Sequence, residues 1–376
     1  AETWRSVSSD RSVGSQRVLL LPDCPIAWTG RRLVPGASGW GTEAALVEAQ
    51  GAARGTTEPL RFVTTDSVTA FALGGLCRTI EIEQQGTRAG ALLLDAGANL
   101  SEALTACPLR GIVRWGTTGP EFRDFETAPN VPGVPLAHPG DHILITGGNG
   151  AIAQSLAAHI TSQTQNVLIT LLARSEPNDT ARAGMQNLTS RGARVLWVNL
   201  TSLDAIGDAI DDACQTQGPL KGILHCAGVT CDRLLANPAP IDPSDALAAK
   251  LNLTRALDMA SAAQPLRYFV GFSSLASVVG NEGQAGYALA NGALDGLIAQ
   301  RRDQGRCGVS LSVNWGYWQS GGMRIDTATE AQLRSRDGVA PMTDVAAIDA
   351  LQRALGTGVT QCAAAAGDVA KLTARL

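Results

Sequence analysis

Short apolar runs alternate along the chain with stretches whose apolar residues recur at helical spacing. The pattern is most regular after His142: HILIT (142–146), a glycine-rich turn, AQSLAAHI (153–160) at helical spacing, then VLITLLA (167–173). That is a β-α-β unit. Further strands are predicted at RVLWVNL (194–200), GILHCAG (222–228), LRYFVGFSS (266–274) and VSLSVNWG (309–316), with helical segments between them. Such alternation predicts a parallel, doubly wound sheet. Upstream, RVLLL (17–21), LRFVTT (60–65), GALLLDA (90–96) and GIVRWG (111–116) also read as strands. VTAFALGGLCRTIEIE (68–83) has helical spacing that Gly74 and Gly75 are expected to interrupt. No glycine-rich turn joins these upstream strands to a following helix, so this half resembles a dinucleotide-binding fold without a phosphate cradle. TAPNVPGVPLAHPGD (127–141), with four prolines, reads as a linker. The expected organisation is α/β, with two Rossmann-like subdomains: 1–137 structural and 138–376 catalytic.

A length of 376 residues makes two units the natural expectation, and an apolar fraction of 45% fills their cores. A net charge of −4 makes no electrostatic case for nucleic acid or an acidic membrane surface. No apolar run has membrane-spanning length, and AETWRSVSSDRS lacks a signal-peptide pattern. Eight cysteines without CxxC pairs and four histidines leave no basis for a metal site. Reduced thiols in a cytoplasmic protein account for them most simply.

Chemistry concentrates in FSSLASVVGNEGQAGYALAN (272–291). Ser274 closes a buried strand, where crevices form in open α/β sheets. Tyr287 lies thirteen residues on, and Asn291 is four further along one helix, so their side chains share a face. A phenol delivers a proton near neutrality only with a positive charge and a hydrogen-bonding neighbour beside it. Ser274 can be that neighbour. The charge must come from elsewhere.

Gly148-Asn149-Gly150-Ala151-Ile152-Ala153 is a G-x-G-x-x-A turn between a strand and a helix. Its glycines let backbone N–H groups approach a pyrophosphate, and the helix N-terminus adds partial positive charge. The second strand ends in LLARS rather than in an acidic residue. Arg174, followed by Ser175, suits the 2′-phosphate of NADPH, although alone it would also suit a solvated loop. Glu176 beside it could repel that phosphate.

Taken together, TGGNGAIA, LLARS, HCAGV, FSSLASVVGNEGQAGYALAN and VNWGYW resemble the short-chain dehydrogenase/reductase superfamily. More closely, they are similar to the ketoreductase domains of modular polyketide synthases. GLCRTIEIE (75–83) resembles, more loosely, their non-catalytic subdomain. The resemblance implies that Lys250, on the preceding helix, supplies the missing charge, and that Tyr287, Ser274, Lys250 and Asn291 are the catalytic set. It extends the cofactor contacts to Thr146, Gly147, Gly148, Asn149, Gly150, Ile152, Arg174, Ser175, Asn199, Leu200, Ala227 and Gly228, with Tyr287 and Lys250 at the nicotinamide end. Two departures stand out: Asn199 replaces a customary aspartate, and Leu253 a customary glycine.

The implied activity is NADPH-dependent reduction of a β-ketoacyl chain held by the phosphopantetheine of an acyl carrier protein, among neighbouring synthase domains. WQSGGMRID (318–326) would form a lid. The resemblance makes Asp232, Val279, Gln284 and Met323 the positions that govern substrate and stereochemistry. Domains giving a D-hydroxyl, called B-type, carry a Leu-Asp-Asp signature after HxAGV; here Thr230-Cys231-Asp232 keeps only the second aspartate. The opposite class carries a tryptophan where this chain has Val279, so a D-hydroxy product is implied. Ala290, where epimerising members have proline, implies no inversion of an α-substituent. The alternatives are a free-standing dehydrogenase of small alcohols and a catalytically silent structural domain.

Overall fold

The computed structural model describes residues 2–6, 17–20, 31–32, 41–53, 59–109, 111–116, 119–321 and 326–376. The upstream half has strands β1 (Glu2–Ser6), β2 (Arg17–Leu20), β3 (Arg31–Arg32), β4 (Leu60–Thr64), β5 (Ala89–Leu94), β6 (Gly111–Gly116) and β7 (Gly119–Phe125). Its helices are α1 (Gly41–Ala53), α2 (Ser67–Glu83) and α3 (Leu100–Ala106). The strands form one sheet in the order β1-β7-β6-β5-β4-β2-β3. It is parallel from β3 to β6, with β7 and β1 added antiparallel at the edge.

The second half follows the pattern predicted for it. Through α7 its elements are β8 (His142–Thr146), α4 (Ala151–Gln163), β9 (Leu168–Ala173), α5 (Asp179–Ser190), β10 (Arg194–Asn199), α6 (Ile206–Gln217), β11 (Leu220–His225) and α7 (Ser244–Leu247). Then come α8 (Leu253–Ala260), β12 (Tyr268–Ser274), α9 (Ala276–Val279), α10 (Ala285–Asp303), β13 (Val309–Trp315) and α11 (Thr327–Gln332). The last are β14 (Val339–Ala340), α12 (Asp344–Thr357), β15 (Gln361–Ala364), β16 (Ala366–Gly367) and α13 (Val369–Arg375). Seven strands pair in parallel in the order β10-β9-β8-β11-β12-β13-β15, and β14 with β16 makes a small ribbon. Helices cover both faces, so strands such as HILIT are buried throughout, which is why they read as unbroken apolar runs. The strand order reverses between β8 and β11. A crevice therefore opens at their carboxyl ends.

Gly74 and Gly75 do not interrupt α2, which runs unbroken from Ser67 to Glu83. They thin it for contact. A Cβ on Gly75 would lie 2.8 Å from the Ala276 carbonyl oxygen. From the other side, a Cβ on Gly292 of α10 would lie 2.4 Å from the Phe71 carbonyl oxygen. Helix propensity is given up at these positions for close backbone approach. Leu73, Leu76, Cys77 and Ile80 of α2 share one buried cluster with Leu289, Ala290, Ala293 and Leu297 of α10. The two halves thus meet in a common core.

The turn from β4 into α2 explains why the upstream half lacks a cradle. Asp66 caps α2 itself, accepting from the Thr69 N–H at 2.8 Å and the Thr69 hydroxyl at 2.6 Å. A carboxylate of the chain sits where an anion would bind. The connection from 126 to 141 has no helix or strand, and Leu136 and Ala137 are buried against the second sheet. Among the described residues no helix is long and apolar enough to cross a membrane, and seven cysteines are free thiols.

Candidate active site

At the switch point a cavity of about 500 Å³ is lined by Gly147, Asn149, Gly150, Ile152, Arg174, Ser175, Leu200, Ala227 and Gly228 among others. Gly147 has φ +75°, and a Cβ there would crowd the Ala227 backbone at 3.2 Å. At Gly148 a Cβ would meet Trp197 at 3.0 Å, so this glycine seats the turn on the sheet. Gly150 begins α4 with no side-chain cap, in contrast to Asp66 of α2, which leaves its first N–H groups for a ligand. The cradle and the uncapped helix fit the diphosphate of a dinucleotide. Arg174 stands exposed at the rim, 4.0 Å from the exposed Asp245. Glu176 is occupied: its carboxylate accepts from the Asn199 amide at 3.1 Å.

Thr146 and Asn199, expected at the cofactor, do not line this cavity. Thr146 is fully buried and does not line the cavity. Its hydroxyl accepts from the Ala227 N–H at 3.0 Å and lies 2.8 Å from His225 Nδ1, tying the ends of β8 and β11 together. Burial, with Lys250 nearby, pushes His225 down to about 3, so this imidazole is neutral. Asn199 is turned to Glu176 rather than into the cavity. Leu253 forms part of the wall.

A second cavity of about 490 Å³ opens beside Ser274, with Asp232, Val279 and Gln284 in its lining. Gln284 Nε2 donates to Asp232 Oδ1 at 3.2 Å. Tyr287 lies in the first turn of α10, half-buried. Burial raises its phenol, while its interactions with the side chains of Ser274 and Asn291 lower it and the nearby Asp232 raises it. Lys250 is buried in a five-residue π-helical stretch (Ala248–Asn252) between α7 and α8. Desolvation brings its ammonium down to about 8, against the opposing pull of Cys226 and Asp295.

Here the arrangement departs from expectation. Lys250 Nζ donates to the Phe272 carbonyl at 2.5 Å. Asn291 Nδ2 donates to the Tyr287 carbonyl at 2.9 Å, and its Oδ1 is buried without a partner. The reason is local. Each donor bonds a backbone carbonyl, one near the end of β12 and one in the first turn of α10. In the segment expected to form a lid, Trp318 is buried and donates to Asp344 at 2.7 Å. Met323 lies outside the described residues.

Residues 142–320 match the family model described as KR domain. The polyketide synthase PksN of Bacillus subtilis is 36% identical over 258 residues, which span 67% of this chain and 5% of that protein. The chain is a polyketide synthase ketoreductase domain. It belongs to the short-chain dehydrogenase/reductase superfamily. The synthase ThaG of Burkholderia thailandensis is 31% identical over 83% of this chain and 6% of its own length. The chain therefore spans a small fraction of these relatives. Among solved structures, a ketoreductase domain from the bacillaene assembly line has a TM-score of 0.85 at 21% identity, covering 100% of this chain and 98% of that one. PlmKR1, from the first module of phoslactomycin biosynthesis in Streptomyces sp. HK803, has a TM-score of 0.80 at 25% identity, covering 99% and 94%. Ketoreductase domains of this superfamily bind a nicotinamide cofactor, and the glycine cradle fits one.

The ketoreductase also holds a polar network that sequence reasoning missed. Asp295, buried one turn beyond Asn291, accepts from Ser277 at 2.6 Å and from Asn314 at 2.9 Å, and also from Ser312. Asn314 reaches the Ser274 carbonyl at 3.3 Å, and Ser277 reaches the same oxygen at 2.8 Å. Gln361 joins through Asn314 at 2.7 Å and accepts from Arg123 of β7. Its one sequence signal is an aspartate inside the otherwise apolar GALDGLI.

Proposed function

We propose that this domain reduces the β-keto group of an acyl chain held as a thioester on the phosphopantetheine arm of an acyl carrier protein, with NADPH as reductant. The observation that carries this reading is the interaction of Tyr287 with Ser274 at the edge of the second cavity, with Lys250 held at the Phe272 carbonyl of the same strand and packed against Gly228 of the cradle wall. The bound cofactor supplies hydride to the carbonyl carbon. Tyr287 gives its proton to the oxygen as charge develops there, and Ser274 donates a hydrogen bond to the same oxygen. Lys250, near 8, stays cationic at neutral pH and favours the phenolate that remains. Asn291 fixes the turn under Tyr287 through its bond to the Tyr287 carbonyl.

Three finer points belong to the same reading. Arg174 at the cavity rim, with Glu176 engaged by Asn199, favours a 2′-phosphate and hence NADPH over NADH. Asp232 and Val279 line the substrate cavity together, which supports a D-hydroxy product. The size of the polyketide synthase relatives supports a carrier protein and neighbouring synthase domains as partners, and the free thiols support a cytoplasmic setting. The test offers a β-ketoacyl thioester with NADPH or NADH and resolves the product by chiral chromatography. Reduction with NADPH to a D-alcohol is expected. A faster reaction with unlinked small alcohols would instead mark a free-standing dehydrogenase.

A further inference from the structure

Glu83 is the last residue of α2 and lies in the half that carries no chemistry. Its side chain reaches into the other half. Oε2 accepts from the Leu235 N–H at 2.6 Å, and Oε1 accepts from the Gly283 N–H at 2.9 Å. Leu235 belongs to the loop after β11 that carries Asp232. Gly283, with φ +74°, belongs to the loop before α10 that carries Gln284. The two loops touch: Arg233 N–H donates to the Gly283 carbonyl at 2.6 Å, and Gln284 donates to Asp232 at 3.2 Å. Both line the cavity beside Ser274.

Neighbouring side chains hold one part of this region each. Thr79, one turn back on α2, accepts from the Asn281 N–H at 3.2 Å. Gln50 of α1 accepts from the Ile241 N–H at 3.0 Å and donates to the Ala239 carbonyl at 3.2 Å. Glu83 bonds to both loops at once. A carboxylate suits the task because it accepts at both oxygens and carries charge, which strengthens each bond.

We propose that Glu83 is a specificity-determining positioning residue. By holding the Leu235 and Gly283 amides on one carboxylate, it fixes the spacing of the two walls that carry Asp232 and Gln284. It thereby sets how a β-ketoacyl arm lies against Ser274. This rests on the ketoreduction proposed above for the cavity. Glu83 touches neither cofactor nor reacting atoms, so its effect falls on substrate fit and product configuration.

The test is Glu83→Gln in the full chain. Glutamine keeps the length and one acceptor, but its amide nitrogen is itself a donor and faces an N–H, so one loop is released. Amide hydrogen exchange at 232–236 or 280–284 should accelerate. KM for a β-ketoacyl thioester should rise about tenfold, the factor that one charge-assisted hydrogen bond corresponds to. The product should lose configurational purity, while kcat, NADPH affinity and reduction of a small cyclic ketone hold. Unchanged exchange in both loops would overturn the clamp. A parallel fall in NADPH affinity and in turnover of both ketones would overturn the specificity role by showing general damage. Failure of the wild-type domain to reduce the thioester would count against the proposed reaction alone, since exchange still decides the clamp.

Discussion

The acid proposed at Tyr287 occupies a site that resists forming an anion, because burial raises the phenol. The Tyr287→Phe variant keeps the ring and loses the acid, so reduction should be abolished while NADPH binding stays within a few-fold; a near-wild-type rate would refute the assignment. For Ser274→Ala the expected loss is smaller, about 3 kcal/mol in transition-state stabilisation, read as kcat/KM. Lys250 makes a pH prediction with two opposite signs. Its folded value, about 8, lies below the unfolded 10.5, so the unfolded chain binds more protons between them. Through that window stability should rise with pH. Over the same rise Lys250 loses its charge, so kcat/KM should fall as pH passes about 8. A flat rate profile there would remove the ammonium from the mechanism. The residues proposed to do chemistry were legible because their types and spacings are restrictive: Ser274, Tyr287 and Asn291 on one strand-loop-helix passage, and the glycines of 147–150. Hydrogen-bond partners were not legible. Nothing in ALAAKLNLT shows that Lys250 sits in a π-helical stretch or donates to Phe272, because both depend on atoms brought from another element.

The helix pair α2 and α10 shows what pattern reading misses at the next scale. Spacing found both helices, but Gly74 and Gly75 looked like breaks because propensity weighs a residue against its own helix alone. Packing decides otherwise: the Ala276–Ser277 backbone comes close at Gly75 and the Ile112 side chain at Gly74. Gly292→Ala should therefore destabilise the domain by about 1–3 kcal/mol, because its new methyl meets a backbone oxygen rather than a side chain that can turn away. Gly51→Ala in α1 is the matched control. Nothing lies within 4 Å of a Cβ there, so a gain of about 0.5–1 kcal/mol is expected. Urea denaturation of both variants checks the pair, and equal effects would show that packing is not what distinguishes them.

Over the whole molecule, the halves are joined by a shared core and by the polar chain from Arg123 through Gln361 and Asn314 to the Ser274 carbonyl. Two α/β units were legible in the sequence and two sheets are present, but nothing in it showed how tightly they depend on each other. Residues 138–376 made alone should expose the apolar face of α10 and fail to give a soluble, NADPH-binding monomer; size-exclusion chromatography with a cofactor titration checks this, and a well-behaved monomer would refute the dependence. Helix α2 also touches the loops beside the substrate cavity, through Glu83 and Thr79 at its C-terminal end. Heritable change can therefore act on selectivity and on catalysis separately. On the clamp proposed above, substitutions at Glu83 retune which acyl arms are accepted and leave proton transfer alone, so a lineage can explore new products without first passing through a dead enzyme.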